Sequence, residues 1–272
     1  MRKLLVVGTL LGFFGFAQDT SAGPCDLTVA GSTCSVAFGS TSALYTNILP
    51  TGTFYVDPFL QMKTSGGSNT EQGYNTTGDS NTSQSGQQFQ FQQQGTTDAL
   101  QLGAVPVVTI GGVQYREFLL ATNEPGGSSL ISLDQLQIFL GSTSSLTNYN
   151  TSTRTLGGLT AVYDLDSGSD NWIKLNYSLG AAGGPGTMIA YIPNSLFTQS
   201  SATQYVYLYS QFGSHDYAGG GLEEWWVRTS NGSGMAVNRV ANPEPGTLIL
   251  LGSTLSMVGV QLRRRRRQAK AS

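Results

Sequence analysis

The chain has 272 residues, 14 Lys and Arg against 16 Asp and Glu, and a single histidine. Residues 23–242 hold six of those 14 cations and 14 of the 16 acids, a net charge of −8, so this part carries no cationic stripe and nucleic acid is excluded as a partner. About 220 residues between the two ends are enough for one domain with its own core.

MRKLLVVGTLLGFFGFAQDTSA opens the chain with Arg2 and Lys3, an apolar run from Leu4 to Ala17 and then small residues. These are the three parts of a secretory signal peptide, predicted over 1–22, which implies the Sec export machinery as a partner. Cleavage after Ala22, with Thr20 and Ala22 in the small positions, is preferred to cleavage after Ala17. Pro24 precedes Cys25 and no lipoprotein box is present, so Cys25 is not a lipid attachment point.

Cys25 and Cys34 are the chain's two cysteines. In an exported protein a lone pair at this spacing is expected to form a disulfide, contributing about 2.5–3 kcal/mol by restricting the unfolded chain. Two free thiols are the alternative. With one histidine and no second Cys pair, a zinc site is disfavoured.

SALYTNILP and TGTFYVDPF read as short strands. Residues 64–97 turn to Gly, Ser, Thr, Asn and Gln and are expected to form a disordered, low-complexity polar loop, most of it without access to a packed core. Within it FQFQQQ (89–94) alternates briefly and fits an edge strand or, through its glutamines, pairing between chains. PVVTI, Gly111-Gly112 and VQYREFLLA form a predicted hairpin whose glycines supply positive φ. LISLDQLQIFLG alternates only in part, and a short amphipathic helix fits it as well as a strand does.

TAVYDL and NWIKLNYSL flank an Asp/Ser/Gly turn, with Ile173, Leu175, Tyr177 and Leu179 on one face of the second segment. TMIAYIP, QYVYLYSQF and EEWWVRTS complete the series, and Tyr205, Tyr207 and Tyr209 share a face. Short strands with frequent Gly, Pro and Asn turns, and almost no helical periodicity, predict a mainly β fold. The expected architecture is an antiparallel β-sandwich, jelly-roll-like, over 23–235.

Three groups of residues invite a chemical reading. Asp164, Asp166 and Asp170 lie in YDLDSGSDNW, where hard oxygen ligands on a Gly-containing loop suit calcium. The glycine spacing departs from the EF-hand loop and its distant glutamate is missing, and the same residues are those of a polar hairpin turn. In GSHDYAGGGLEEWW, Glu223 and Glu224 would be the acid and base of a glycosidase. Neighbouring strand residues point to opposite faces, however, so one strand does not aim both at one bond. His215 has no Gly-x-Ser-x-Gly elbow to serve, and no catalytic residue is assigned. Trp172, Trp225, Trp226 and the tyrosine row fit either a carbohydrate-binding platform, for which Trp225 and Trp226 are the candidates, or core packing. Alternation places those two tryptophans on opposite faces.

After a linker over 236–245 that holds Pro243, Glu244 and Pro245, residues 246–262 carry no charge. At 17 residues the segment is at the short end of a membrane-spanning helix. Arg263, Arg264, Arg265, Arg266 and Arg267 follow; arginines snorkel to headgroups, and the positive-inside rule makes 263–272 a cytoplasmic tail. This Pro-Glu-Pro motif, apolar helix and arginine cluster resemble the PEP-CTERM sorting signal of Gram-negative bacteria, and YVYLYSQFG and EEWWVR resemble segments of one group of proteins bearing it. The resemblance implies an exosortase as processing partner, transient anchoring in the inner membrane, removal of the tail and delivery to the cell surface or extracellular matrix. The function expected is structural or adhesive within an exopolysaccharide matrix. Calcium-dependent carbohydrate binding is the alternative, and polysaccharide hydrolysis the third reading.

Overall fold

The structure is a computed structural model that describes residues 24–48, 58–62, 69–78, 99–123, 129–179, 187–198, 200–216 and 221–228. The chain divides into two units, Met1–Asn231 and Gly232–Ser272, and every described residue belongs to the first. The expected signal peptide, the FQFQQQ segment, the Pro-Glu-Pro motif, the apolar segment and the arginine cluster lie outside the described residues. No helix among the described residues is long and apolar enough to cross a membrane.

In chain order the strands begin with β1 (Pro24–Leu27), β2 (Thr33–Phe38), β3 (Thr41–Thr46), β4 (Leu60–Met62), β5 (Glu71–Tyr74) and β6 (Leu100–Gln101). They continue with β7 (Val107–Ile110), β8 (Val113–Ala121), β9 (Leu130–Gly141), β10 (Tyr149–Asn150), β11 (Thr155–Leu156) and β12 (Leu159–Thr160). The last are β13 (Tyr163–Asp164), β14 (Trp172–Asn176), β15 (Met188–Pro193), β16 (Tyr205–Phe212) and β17 (Glu223–Trp226).

The protein is mainly β, built on several sheets. Sheet I has seven strands in the order β1-β14-β9-β16-β5, with β13 on β9 and β6 on β16. Sheet II, also of seven, runs β2-β3-β15-β8-β17-β4 with β7 on β8, and sheet III is β10-β11-β12. Every pairing between these strands is antiparallel except β1 with β14.

Alternation decides which side chains meet. Ile131, Leu133, Ile173, Leu175, Val206 and Leu208 from sheet I join Tyr45, Phe118, Leu120, Met188, Ala190 and Trp225 from sheet II in one buried cluster. At roughly 1.5–3 kcal/mol for each large apolar side chain buried, this shared cluster is the main source of cohesion. The tyrosine face of β16 turns the other way: Tyr207 and Tyr209 pack with Tyr74, Phe139, Tyr149 and Leu156 in a second cluster, which includes residues of β10 and β11. At Tyr207 and Tyr209 both faces of β16 are therefore covered, whereas Gln211 is half-buried.

The hairpin at Gly111-Gly112 forms as expected, with φ of 57° and 85° and Ile110 paired to Val113. LISLDQLQIFLG is a single strand, β9, rather than a helix. It is a central strand covered on both faces, so its apolar positions run nearly without a break and the period-2 signal is weak. A bulge adds to this: Gln211 pairs with Gln135 but Phe212 with Leu133, leaving Asp134 as the extra residue. Of the predicted face of NWIKLNYSL, Ile173 and Leu175 are buried in β14, whereas Tyr177 to Leu179 leave the strand in a 3-10 turn.

One expectation needs correction. Part of the polar stretch 64–97 is ordered structure: Glu71–Tyr74 is β5, an edge strand of sheet I, and Tyr74, Asn75 and Thr76 are buried behind it. Polar side chains do the work of backbone here. The Asn75 amide donates to Val206 O at 2.8 Å and accepts from Leu208 N–H at 2.7 Å, extending the ladder to β16 by one side chain.

Candidate functional site

The face of sheet I turned away from sheet II carries two polar clusters. The first contains two of the aspartates proposed for calcium. Asn150 Oδ1 accepts from the N–H groups of Ser152 and Thr153, shaping a four-residue turn between β10 and β11 that ends on Arg154 at φ 55°. This left-handed residue projects its guanidinium onto the next turn, where Nη2 donates to Asp164 Oδ1 at 2.6 Å and to Asp166 Oδ2 at 2.9 Å. Asp164 also accepts from Gln137 Nε2 at 2.9 Å, and Gln137 accepts in turn from the Tyr149 hydroxyl. The Tyr149 ring stacks on Tyr209 at 4.0 Å and 12°, and the Tyr209 hydroxyl donates to Gln72 Oε1 at 2.6 Å.

Burial raises the Asp166 carboxyl to about 6, against the opposing pull of Arg154. Burial likewise pushes the Tyr149 hydroxyl up to about 12. Asp164 and Asp166 thus meet at a cation supplied by the chain itself, and Asp170 is not part of that ion pair. Among the described residues no three His, Cys, Asp or Glu side chains converge as a metal site.

The second cluster surrounds the bulge. Asp134, whose side chain is 5% exposed, accepts from Ser132 Oγ at 3.0 Å, Ser214 N–H at 2.6 Å and His215 Nδ1 at 2.7 Å. Ser132 Oγ accepts in turn from the N–H groups of His215 and Asp216, and Gly213, at φ 90°, lets the chain leave β16 toward that site. The His215 ring lies flat on Trp172 of β14, centroids 4.3 Å apart and planes within 4°. Lys174, two residues along β14, pairs with Asp216 at 3.3 Å.

A carboxylate only accepts, so Nδ1 of His215 carries hydrogen toward Asp134. Ser132 is no nucleophile for this histidine, because its hydroxyl is buried and donates to Asp134.

The remaining candidates separate as alternation requires. Glu223 faces the interior at 0% exposure, while Glu224 faces outward and accepts from Gln61. They do not aim at one bond. Burial raises the Glu224 carboxyl, and Gln61 partly offsets this. Trp225 is wholly buried, its indole N–H donating to Ser210 Oγ at 3.0 Å, so its ring is a core element and offers no face to a sugar. Trp226 is half-buried on the opposite side of β17. Near it Arg228 forms a two-pronged ion pair with Glu117, whose carboxyl is raised by burial and held down in part by that arginine.

Cys25 and Cys34 are joined in a disulfide with Cα atoms 5.8 Å apart. The bond links β1, an edge of sheet I, to β2, an edge of sheet II.

Asp134, Ser132 and Gln137 carried no signal in the sequence. They lie inside an apolar strand, and their role exists only because the chain returns to them from Ser214–Asp216 and Asp164. No family model matches the chain, and neither a curated protein nor a solved structure matches it.

Proposed function

We propose that this is an exported, non-catalytic surface or matrix protein sorted by a PEP-CTERM-type signal, with a body that is a jelly-roll-like β-sandwich in a structural or adhesive role. The observation that carries this reading is the Cys25–Cys34 disulfide between the edges of the two large sheets. Such a bond persists in an oxidising compartment, which agrees with the leader at 1–22 and with a positive block after the C-terminal apolar segment. The non-catalytic part of the reading is supported by the partners that several candidate groups already have, and by Glu223, whose carboxylate has no hydrogen-bond partner among the described residues, being sealed in the interior on the face opposite Glu224. Ser132 is bound to Asp134, Glu224 to Gln61, and Asp164 and Asp166 to Arg154.

In this reading an exosortase removes the tail at the inner membrane of a Gram-negative host, and the released body joins an exopolysaccharide matrix. The test is the intact mass of the protein recovered from the envelope and medium of its own host. A form that begins near Gly23, ends near Pro245 and is two hydrogens lighter than the dithiol is expected. A form that retains Arg263 to Arg267 overturns the sorting reading.

A further inference from the structure

The register of sheet I sets side-chain amides in a row across three strands. Gln72 of β5 is the partner of Gln211 of β16, and Gln211 is the partner of Gln135 of β9. All three are half-buried. Gln72 and Gln211 point away from the shared core, since Val206, Leu208 and Phe212 occupy the other face of β16 and the Tyr209 hydroxyl reaches Gln72. The row continues through the bulge at Asp134 to His215 and to Trp172 on β14, the next strand.

With strands about 4.8 Å apart, these groups cross four strands over roughly 14 Å. That step is close to the repeat of a hexose unit in an extended chain. A β-bulge re-aims a side chain, and such bulges gather beside functional sites. Here the extra residue, Asp134, fixes the imidazole through Nδ1, on a side chain that is 37% exposed.

We propose that this row is the binding site for a single chain of a neutral polysaccharide. The inference rests on the reading of the body as an exported adhesive module. The primary amides of Gln211 and Gln135 both donate and accept and therefore match hydroxyl groups, which do the same, while Gln72 is held in the row by the Tyr209 hydroxyl. The partly exposed His215 imidazole bonds a sugar hydroxyl, and the exposed parts of the stacked Trp172 and His215 rings offer apolar surface to a sugar's C–H face.

Charge selects against an acidic polymer. Residues 23–242 are net −8, and each of the four cations among the described residues is already engaged. Arg116 is held by carbonyls of Leu102 and Val105, Arg154 by Asp164 and Asp166, Lys174 by Asp216, and Arg228 by Glu117. The row itself contains no free carboxylate, since Asp134 is held by three donors, so binding here is independent of calcium.

The experiment is affinity electrophoresis of the full-length chain in mild detergent through gels containing soluble neutral glucan, galactan or galactomannan, with alginate as the anionic control. At least one neutral polymer is expected to retard the protein, alginate to retard it less, and chelator to change nothing. Trp172→Ala and Gln211→Ala are each expected to weaken retention about tenfold, whereas Val113→Ala, at an exposed position of the other large sheet, leaves it unchanged. Far-ultraviolet circular dichroism checks folding, and if Trp172→Ala does not fold, Gln211→Ala decides.

The proposal is overturned by no retention in any neutral gel, by retention that survives Gln211→Ala in full, or by retention lost with chelator. Its failure is distinct from failure of the sorting reading. A correctly trimmed protein without polysaccharide affinity sinks only this inference, and a binding protein that keeps its tail sinks only the other.

Discussion

Tyr45 and Tyr163 meet hydroxyl to hydroxyl in the space between the two large sheets. Tyr45 belongs to β3 of sheet II, Tyr163 to β13 of sheet I, and both are wholly buried. Burial raises both hydroxyls above their ordinary range, so the bridge is a neutral one in which each ring satisfies the other's polar atom.

The single substitution Tyr45→Phe leaves the Tyr163 hydroxyl without its bridge and is expected to cost about 1–3 kcal/mol. The double substitution with Tyr163→Phe removes both polar atoms together. It should be less destabilising than the two single costs added, as urea unfolding of all four proteins would measure. Additive costs would mean that the two hydroxyls do not depend on each other.

The Cys25–Cys34 bond closes a short loop between β1, which pairs with β14, and β2, which pairs with β3. Replacing both cysteines with serine is expected to lower stability by about 2.5–3 kcal/mol. The urea midpoint should fall with little change in slope. An unchanged midpoint would show that the unfolded chain gains nothing from losing the link.

Asp166 gives a pH dependence of definite sign. Its folded pKa, about 6, is above its ordinary 3.8, so the native state binds the proton more tightly than the unfolded chain. The contribution of Asp166 to stability is therefore complete below about pH 4 and is lost as pH rises through about 6. Stability of the wild-type protein relative to Asp166→Asn should fall between those limits and be flat above them. Thermal unfolding across that range measures the difference directly, and a difference that rises with pH would contradict the assignment.

Asn75 stands in for a stretch of backbone beside β16. Asn75→Ala leaves Val206 O and Leu208 N–H without the amide that pairs with them, at a cost of about 1–3 kcal/mol. Hydrogen exchange should speed selectively at Leu208, whose N–H loses its acceptor. Protection equal to that of the unaltered protein would show that β5 is held by other contacts.

Local chemistry made part of this legible in advance. Gly111-Gly112 determined a hairpin because two consecutive positive φ angles are cheap only for glycine. Ile173 and Leu175 determined the buried face of β14 because side chains alternate along a strand. The same rule split Glu223 from Glu224 and Trp225 from Trp226. It did not say which tryptophan would be covered, since that depends on where the second sheet lies. β9 was ambiguous because a strand buried on both faces loses the alternation that identifies it, and β5 was missed because its polar residues looked like those of a loop.

The β class, the hairpin and the partition of each strand into two faces are readable from the residues alone, because they follow from interactions within a few positions. That Arg154 answers Asp164 and Asp166 is visible only in the folded chain. The same holds for Asp134, which holds His215 against Trp172, and for Gln72, Gln211 and Gln135, which fall into one row. Those partners are tens of residues apart or more in several cases. Their meeting is set by strand order, a one-residue bulge and the return of the chain over the sheet, none of which leaves a trace in local sequence.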